Sequence, residues 1–173
     1  MQRKWRDNVE VGSGGSFLRL KDGESQYVIF MGELYEFFQT FDQTKMKATV
    51  VPEGTHKAQF RFRINAVIKV SPDKYEPRIF ENGATVYNTL KELDTEYDGL
   101  ESVIIKLTRK GVGLDTEYQL IPLRQEISPQ TKALLAKLPL LKLQHEVKAQ
   151  PGGEHDFGPV PPDNFDQHPE IPF

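Results

Sequence analysis

Residues 59–70 place cations and apolar side chains on alternating positions, and that pattern has a chemical use. Phe60, Phe62, Ile64, Ala66, Ile68 and Val70 occupy the even positions, with Arg61, Arg63, Asn65 and Lys69 among the odd ones. In a β-strand this alternation turns the apolar set to one side of a sheet and the cations to the other. Cations spaced along a curved sheet can follow a phosphodiester backbone, while aromatic rings offer stacking surfaces to unpaired bases. Arg19, Lys45, Lys47, Lys106, Arg109 and Lys110 fall on neighbouring predicted strands and loops and would extend such a patch. The competing reading of the same cations is a solvated outer face with no ligand.

Aromatic side chains for stacking are available at Tyr27, Tyr35, Phe37, Phe38, Phe41, Tyr75 and Tyr118. If residues 34–41 form a strand, adjacent Phe37 and Phe38 point to opposite faces and at most one of them enters the core. Tyr35 and Phe37 are therefore the stacking candidates beside the basic positions. The alternative is that a covering loop or helix buries both phenylalanines.

Other chemistries find little support. The four histidines, His56, His145, His155 and His168, are scattered, and no His-x-x-x-His spacing occurs. With no cysteine there is no disulfide, iron–sulfur cluster or thiolate-bound zinc. No nucleophile elbow is present, and Gly12-Ser13-Gly14-Gly15-Ser16 lacks the Gly-Lys-Ser/Thr of a phosphate loop. The chain reads as a non-enzyme that needs no cofactor or metal. No apolar run approaches the roughly 18 residues of a membrane helix, and a cytoplasmic location is expected.

The elements that would position these groups are short. Strands are predicted over 17–20 and 26–31 around an Asp22-Gly23 turn, then over 34–41, with a short one at 47–51 in a loop over 42–58. Further strands are expected at 59–70, near 78–80, at 101–109 and at 116–123, where Pro122 implies a sheet edge. A helix over 83–97 is predicted from Val86, Leu90, Leu93 and Tyr97, with Asn82 as cap and Gly99 as stop. A second helix over 129–138 begins with Ser128 as cap and Pro129 at its first position. Five or more short strands with one internal helix before the last hairpin suggest a mainly β, OB-fold-like β-barrel over 17–123. Residues 1–16 read as a flexible entry and 124–150 as a helical extension.

Residues 151–173 differ from the rest in composition. They hold six of the 12 prolines and five acids with no Lys or Arg, which leaves 20 acids against 22 bases in residues 1–150. The body is thus +2 and the tail −5, a distribution that suits a polyanion-binding domain with a detachable acidic competitor. The tail has no apolar periodicity and is expected to be disordered.

Its last residues, Asp163-Asn164-Phe165-Asp166-Gln167-His168-Pro169-Glu170-Ile171-Pro172-Phe173, resemble the C-terminal tip of bacterial single-stranded DNA-binding proteins. The resemblance implies that Ile171, Pro172 and Phe173 dock in apolar pockets of replication and repair partners, with Asp166 and Glu170 meeting basic residues around them. The family's run of Asp is replaced here by Gln167, His168 and Pro169. Within the body, Phe17-Leu-Arg-Leu-Lys-Asp-Gly-Glu24, Phe60-Arg-Phe-Arg-Ile-Asn65, Gly113-Leu-Asp-Thr-Glu-Tyr118 and Ile121-Pro122 resemble phage-encoded single-stranded DNA-binding proteins. That resemblance implies an OB-fold core and non-specific binding during phage DNA replication and recombination. It assigns no stacking residue. Two other readings of the pattern remain: a protein-interaction adaptor and an RNA-binding domain.

Overall fold

A computed structural model describes residues 16–144. Within them the chain is mainly β, an antiparallel sheet accompanied by two helices. The strands are β1 (Ser25–Asp42), β2 (Lys47–Val51), β3 (Gln59–Ser71), β4 (Lys74–Gly83), β5 (Ile105–Lys110) and β6 (Glu117–Pro122). Helix α1 (Ala84–Glu96) lies between β4 and β5, and α2 (Pro129–Ala136) follows β6. The sheet runs β4-β3-β1-β5-β6, with β2 a hairpin partner of β1. No helix among the described residues is long and apolar enough to cross a membrane. The N-terminal residues 1–15 and the tail 151–173 lie outside the described residues, and with them Asp166, Glu170, Ile171, Pro172 and Phe173.

β1 corrects two expectations. Segments 26–31 and 34–41 are one strand of 18 residues, not two. Gly32, at φ +80°, breaks the regular pairing: between Met31↔Asn65 and Tyr35↔Arg63, β1 advances four residues while β3 advances two. This bulge bends the strand without exchanging its faces, because an even offset preserves the alternation. The bend lets β1 serve both halves of the sheet, pairing with β5 over Ser25–Val28 and with β2 over Phe38–Asp42. Residues 17–20 form no hairpin with β1. Phe17 makes an isolated parallel bridge to Ile79, and the turn at Gly23 bonds instead across to Arg109.

The even face of β3 enters the core, as its alternation requires. Phe62, Ile64 and Ala66 join Val28, Phe30, Phe80, Ile105 and Leu107, and α1 covers them with Val86, Leu90 and Leu93. Fully burying a side chain such as Phe62 contributes about 1.5–3 kcal/mol. The sheet curls until Phe80 of β4 and Tyr118 of β6, its terminal strands, meet edge-to-face with centroids 5.7 Å apart. β4 is longer than expected because Pro77, opposite Val67, sits on a strand at the end of the sheet path, where a missing N–H is tolerated. α1 has Gly83, not Asn82, at its N-cap, and Asn82 Oδ1 accepts from the Gly83 amide at 2.8 Å. α2 begins as expected, with Ser128 Oγ accepting from Thr131 N.

The second face of the sheet is not open throughout. Ile29 and Val67 are buried there under Ile127 and Leu135 of the C-terminal segment. Beyond α2 the chain runs on without regular structure to Gln144, across β3.

Candidate nucleic-acid interface

The odd residues of β3 face away from the core, but the structure divides them into a covered half and an open half. Arg61 and Arg63 are 4% and 5% exposed, against the open surface expected of them. Arg63 Nε donates to Glu81 Oε1 at 2.8 Å, and Arg61 NH2 approaches Glu81 Oε2 at 3.4 Å. Glu81 comes from β4, which places it directly opposite Arg63. Over Arg63 and Asn65 the cover is the segment 139–144. Arg63 NH1 donates to the Leu143 carbonyl at 3.1 Å, and Asn65 pairs with Leu141 in both directions, Nδ2 to O at 3.0 Å and N to Oδ1 at 2.8 Å.

Aromatic rings complete this covered half. The Arg63 guanidinium carbon lies 5.2 Å from the Phe17 ring centroid and 5.3 Å from that of Phe37. Phe37 stacks on Tyr35 at 5.6 Å, and Arg19 lies over the other sequence neighbour, Phe17, at 5.5 Å. Arg19, Tyr35, Phe37 and Arg63 are thus brought together through ring contacts, and Arg61 joins Arg63 through the shared Glu81. Phe37 is buried on this face, while Phe38 turns to the other and meets Phe60. Both phenylalanines are accounted for by packing.

Other expected members lie elsewhere. Arg109 is 5% exposed and shares the inward face of β5 with Ile105 and Leu107, where NH1 donates to the Leu20 carbonyl. It is not a surface cation, because β5 alternates with the register that buries its neighbours. Lys45 and Lys47 are exposed at the tip of the β1–β2 hairpin. Lys110 is exposed at the end of β5, paired across the ladder with Glu117.

The open half lies around Lys69. Lys69 stands opposite Tyr75 of β4, its Nζ 5.9 Å from the ring centroid. On β1, one residue before the Val28↔Ile68 pair, Tyr27 comes alongside Lys69; on its other side it pairs with Lys106 of β5. Four strands therefore present Tyr75, Lys69, Tyr27 and Lys106 as an alternating row of rings and cations. Three interstrand steps of about 4.8 Å make it about 14 Å wide. Tyr27 is 54% exposed, unusual for so large a ring. A groove of about 510 Å³ opens beside the row, lined by Tyr27, Lys69, Tyr75, Ile104, Gln125 and Thr131. Rings with accessible faces between ammonium groups can stack on bases and neutralise the phosphates between them.

Two groups near the sheet have shifted acidities. Hydrogen bonds from Lys74 and Arg78 hold the Glu76 carboxyl below its ordinary value. The Tyr87 hydroxyl, donating to Glu36 Oε2 at 2.7 Å, is pushed up, chiefly because that bond favours the protonated form.

No family model matches the chain, and no curated protein or solved structure matches it either.

Proposed function

We propose that this protein binds single-stranded DNA without sequence specificity, on the outer face of its sheet. The observation that carries the reading is the row Tyr75–Lys69–Tyr27–Lys106, in which four strands alternate a stacking surface with a cation. Supporting it, the order β4-β3-β1-β5-β6, with α1 between β4 and β5, is the strand order of an OB-fold if the short β2 is treated as an insertion. Such barrels take oligonucleotides on this side, over the strands that β3 and β4 would represent.

The mechanism has no covalent step. A protein that binds only the unpaired strand draws the duplex–strand equilibrium toward single strands by mass action and shields what it covers. In this reading the protein acts in a bacterial cytoplasm during phage DNA replication, recombination and repair. The tip Ile171-Pro172-Phe173, with Asp166 and Glu170, recruits partner proteins; this part rests on the sequence resemblance alone.

The test is a titration of labelled oligo-dT at several salt concentrations. Binding should weaken with a log–log slope of about −0.7 for each phosphate neutralised. Tyr27→Ala and Tyr75→Ala should each cost about 1–3 kcal/mol, the worth of one base stack. Equal affinity for duplex, or binding indifferent to salt, overturns the reading. Tighter binding of the ribo-oligomer points to RNA instead.

A further inference from the structure

We propose that the groove beside the row takes one base of the bound strand, and that Glu126 makes it favour a base with an exocyclic amino group, cytosine or adenine, over thymine. The inference rests on the single-stranded DNA reading above and names the bases that its site prefers.

The groove is shaped by the point at which the outer face of the sheet becomes covered. Tyr27, Lys69 and Tyr75 line its open side. Two residues back along β3, Val67 is 2% exposed, and with its β1 partner Ile29 it is buried under Ile127 and Leu135. A strand lying on the row therefore finds no path onward along β3, and the groove ends blind against this cover. Its opposite wall comes from the connection between β6 and α2 and from α2 itself, with Leu123, Gln125, Glu126 and Thr131. Its volume of about 510 Å³ lies within the range of small-molecule sites, roughly 300–1,000 Å³, so a purine or a pyrimidine fits. Val67, Ile104 and Leu123 give it an apolar lining, which suits the flat face of a base.

The charges around the groove separate phosphate from base. Lys69 lines it on the side of the row, where Lys106 is the next cation across Tyr27, so phosphates are held there. Glu126, on the far wall, is exposed, and a phosphate is repelled from it. What can approach Glu126 is a base edge. A carboxylate only accepts hydrogen bonds. Cytosine N4 and adenine N6 are amino donors, whereas thymine carries the acceptor O4 at the corresponding edge. Gln125 both donates and accepts, so it tolerates either kind of edge. The row itself is indifferent to the base, because every base has a face to stack. The outcome is a preference of a few-fold laid over non-specific binding, with no sequence read.

Titration of the full chain with labelled oligo-dC and oligo-dU of equal length, at one salt concentration and neutral pH, tests this. Deoxyuridine lacks the thymine methyl group, so the two oligomers differ only at the edge that Glu126 would meet. The wild type should bind oligo-dC about fivefold more tightly, the low end of the range for a base-edge contact. In Glu126→Ala that ratio should fall to about one, while both oligomers bind somewhat more tightly because a negative charge is gone. Glu126 is exposed and outside the helices and strands, so the variant should keep the wild-type fold, checked by circular dichroism. A single dC at the centre of a dU oligomer just long enough to bind should recover most of the preference, because the groove takes one base. Three results overturn the groove and leave DNA binding intact: equal or weaker binding of oligo-dC by the wild type, an unchanged ratio in Glu126→Ala, or a preference that grows in proportion to the number of dC. Failure of the wild type to bind oligo-dT, oligo-dU and oligo-dC alike overturns the underlying reading instead, and the groove proposal with it.

Discussion

Replacing Arg63 with Ala should destabilise the fold, although an exposed cation on a strand would be replaced at little cost. Arg63 is 5% exposed, makes the 2.8 Å bond to the fully buried carboxylate of Glu81, and holds the Leu143 carbonyl. Removing one partner of a buried ion pair typically costs about 3–5 kcal/mol, because the other charge is left without compensation. Arg61 moderates this only partly, since its contact with Glu81 is longer at 3.4 Å. Loss of the two ring contacts adds to the cost, a desolvated cation–π pair reaching about 2 kcal/mol. The expected total is about 4 kcal/mol, a large part of the roughly 5–15 kcal/mol by which domains are stable. Urea unfolding followed by far-UV circular dichroism measures it through the midpoint. Lys69→Ala, on the same strand but exposed, is the control and should stay within about 0.5 kcal/mol. Replacing Arg63 and Glu81 together should cost less than the sum of the single changes, because neither is then left facing the place of the other and only Arg61 loses its contact with Glu81. A loss below about 1 kcal/mol for Arg63→Ala would refute the reasoning, and with it the covered state of β3. A DNA-binding defect of this variant therefore means little until its stability is known.

Gly32→Ala should lower stability by about 1–2 kcal/mol, the penalty for a left-handed backbone at a residue with a Cβ, and adding Leu140→Ala should recover part of it because the new methyl meets Leu140 Cδ1; no recovery means that strain alone is responsible. Tyr87 should ionise above the ordinary tyrosine value in a spectrophotometric titration, and Glu36→Gln should return it toward that value. Since its pKa is raised on folding, the associated stability is present below the unfolded pKa and lost as pH rises through the folded one. An unchanged Tyr87 titration in Glu36→Gln would show that burial, not the bond, causes the shift. Deleting Phe173 should abolish capture of partner proteins while leaving oligo-dT affinity nearly unchanged, as it removes no side-chain charge; retained capture would mean that the tip's resemblance to the bacterial one is coincidental.

What the sequence determined by itself was local. The alternation over residues 59–70 specified which face of β3 enters the core, because a period of two leaves no other way to bury Phe62, Ile64 and Ala66 together. The spacing of Val86, Leu90 and Leu93 fixed the buried face of α1, and Ser128-Pro129 marked the start of α2, since caps and helical periodicity act within one or two turns. The Asp22-Gly23 signal produced a turn, but its partner strand is β5, a choice that depends on residues more than eighty positions away. Tertiary structure alone decided the fate of the cations. Arg61 and Arg63 point outward as their alternation demands, yet both are buried, Arg63 under residues 139–144, and nothing near position 63 encodes that return. The apolar run Leu140-Leu141 with Leu143 after Pro139 is the signal that could have warned of it, for such a segment needs a surface to cover. Likewise Tyr27, Lys69, Tyr75 and Lys106 each look ordinary along the chain. Strand register, set by the buried face of the sheet, is what aligns them into a row on the other.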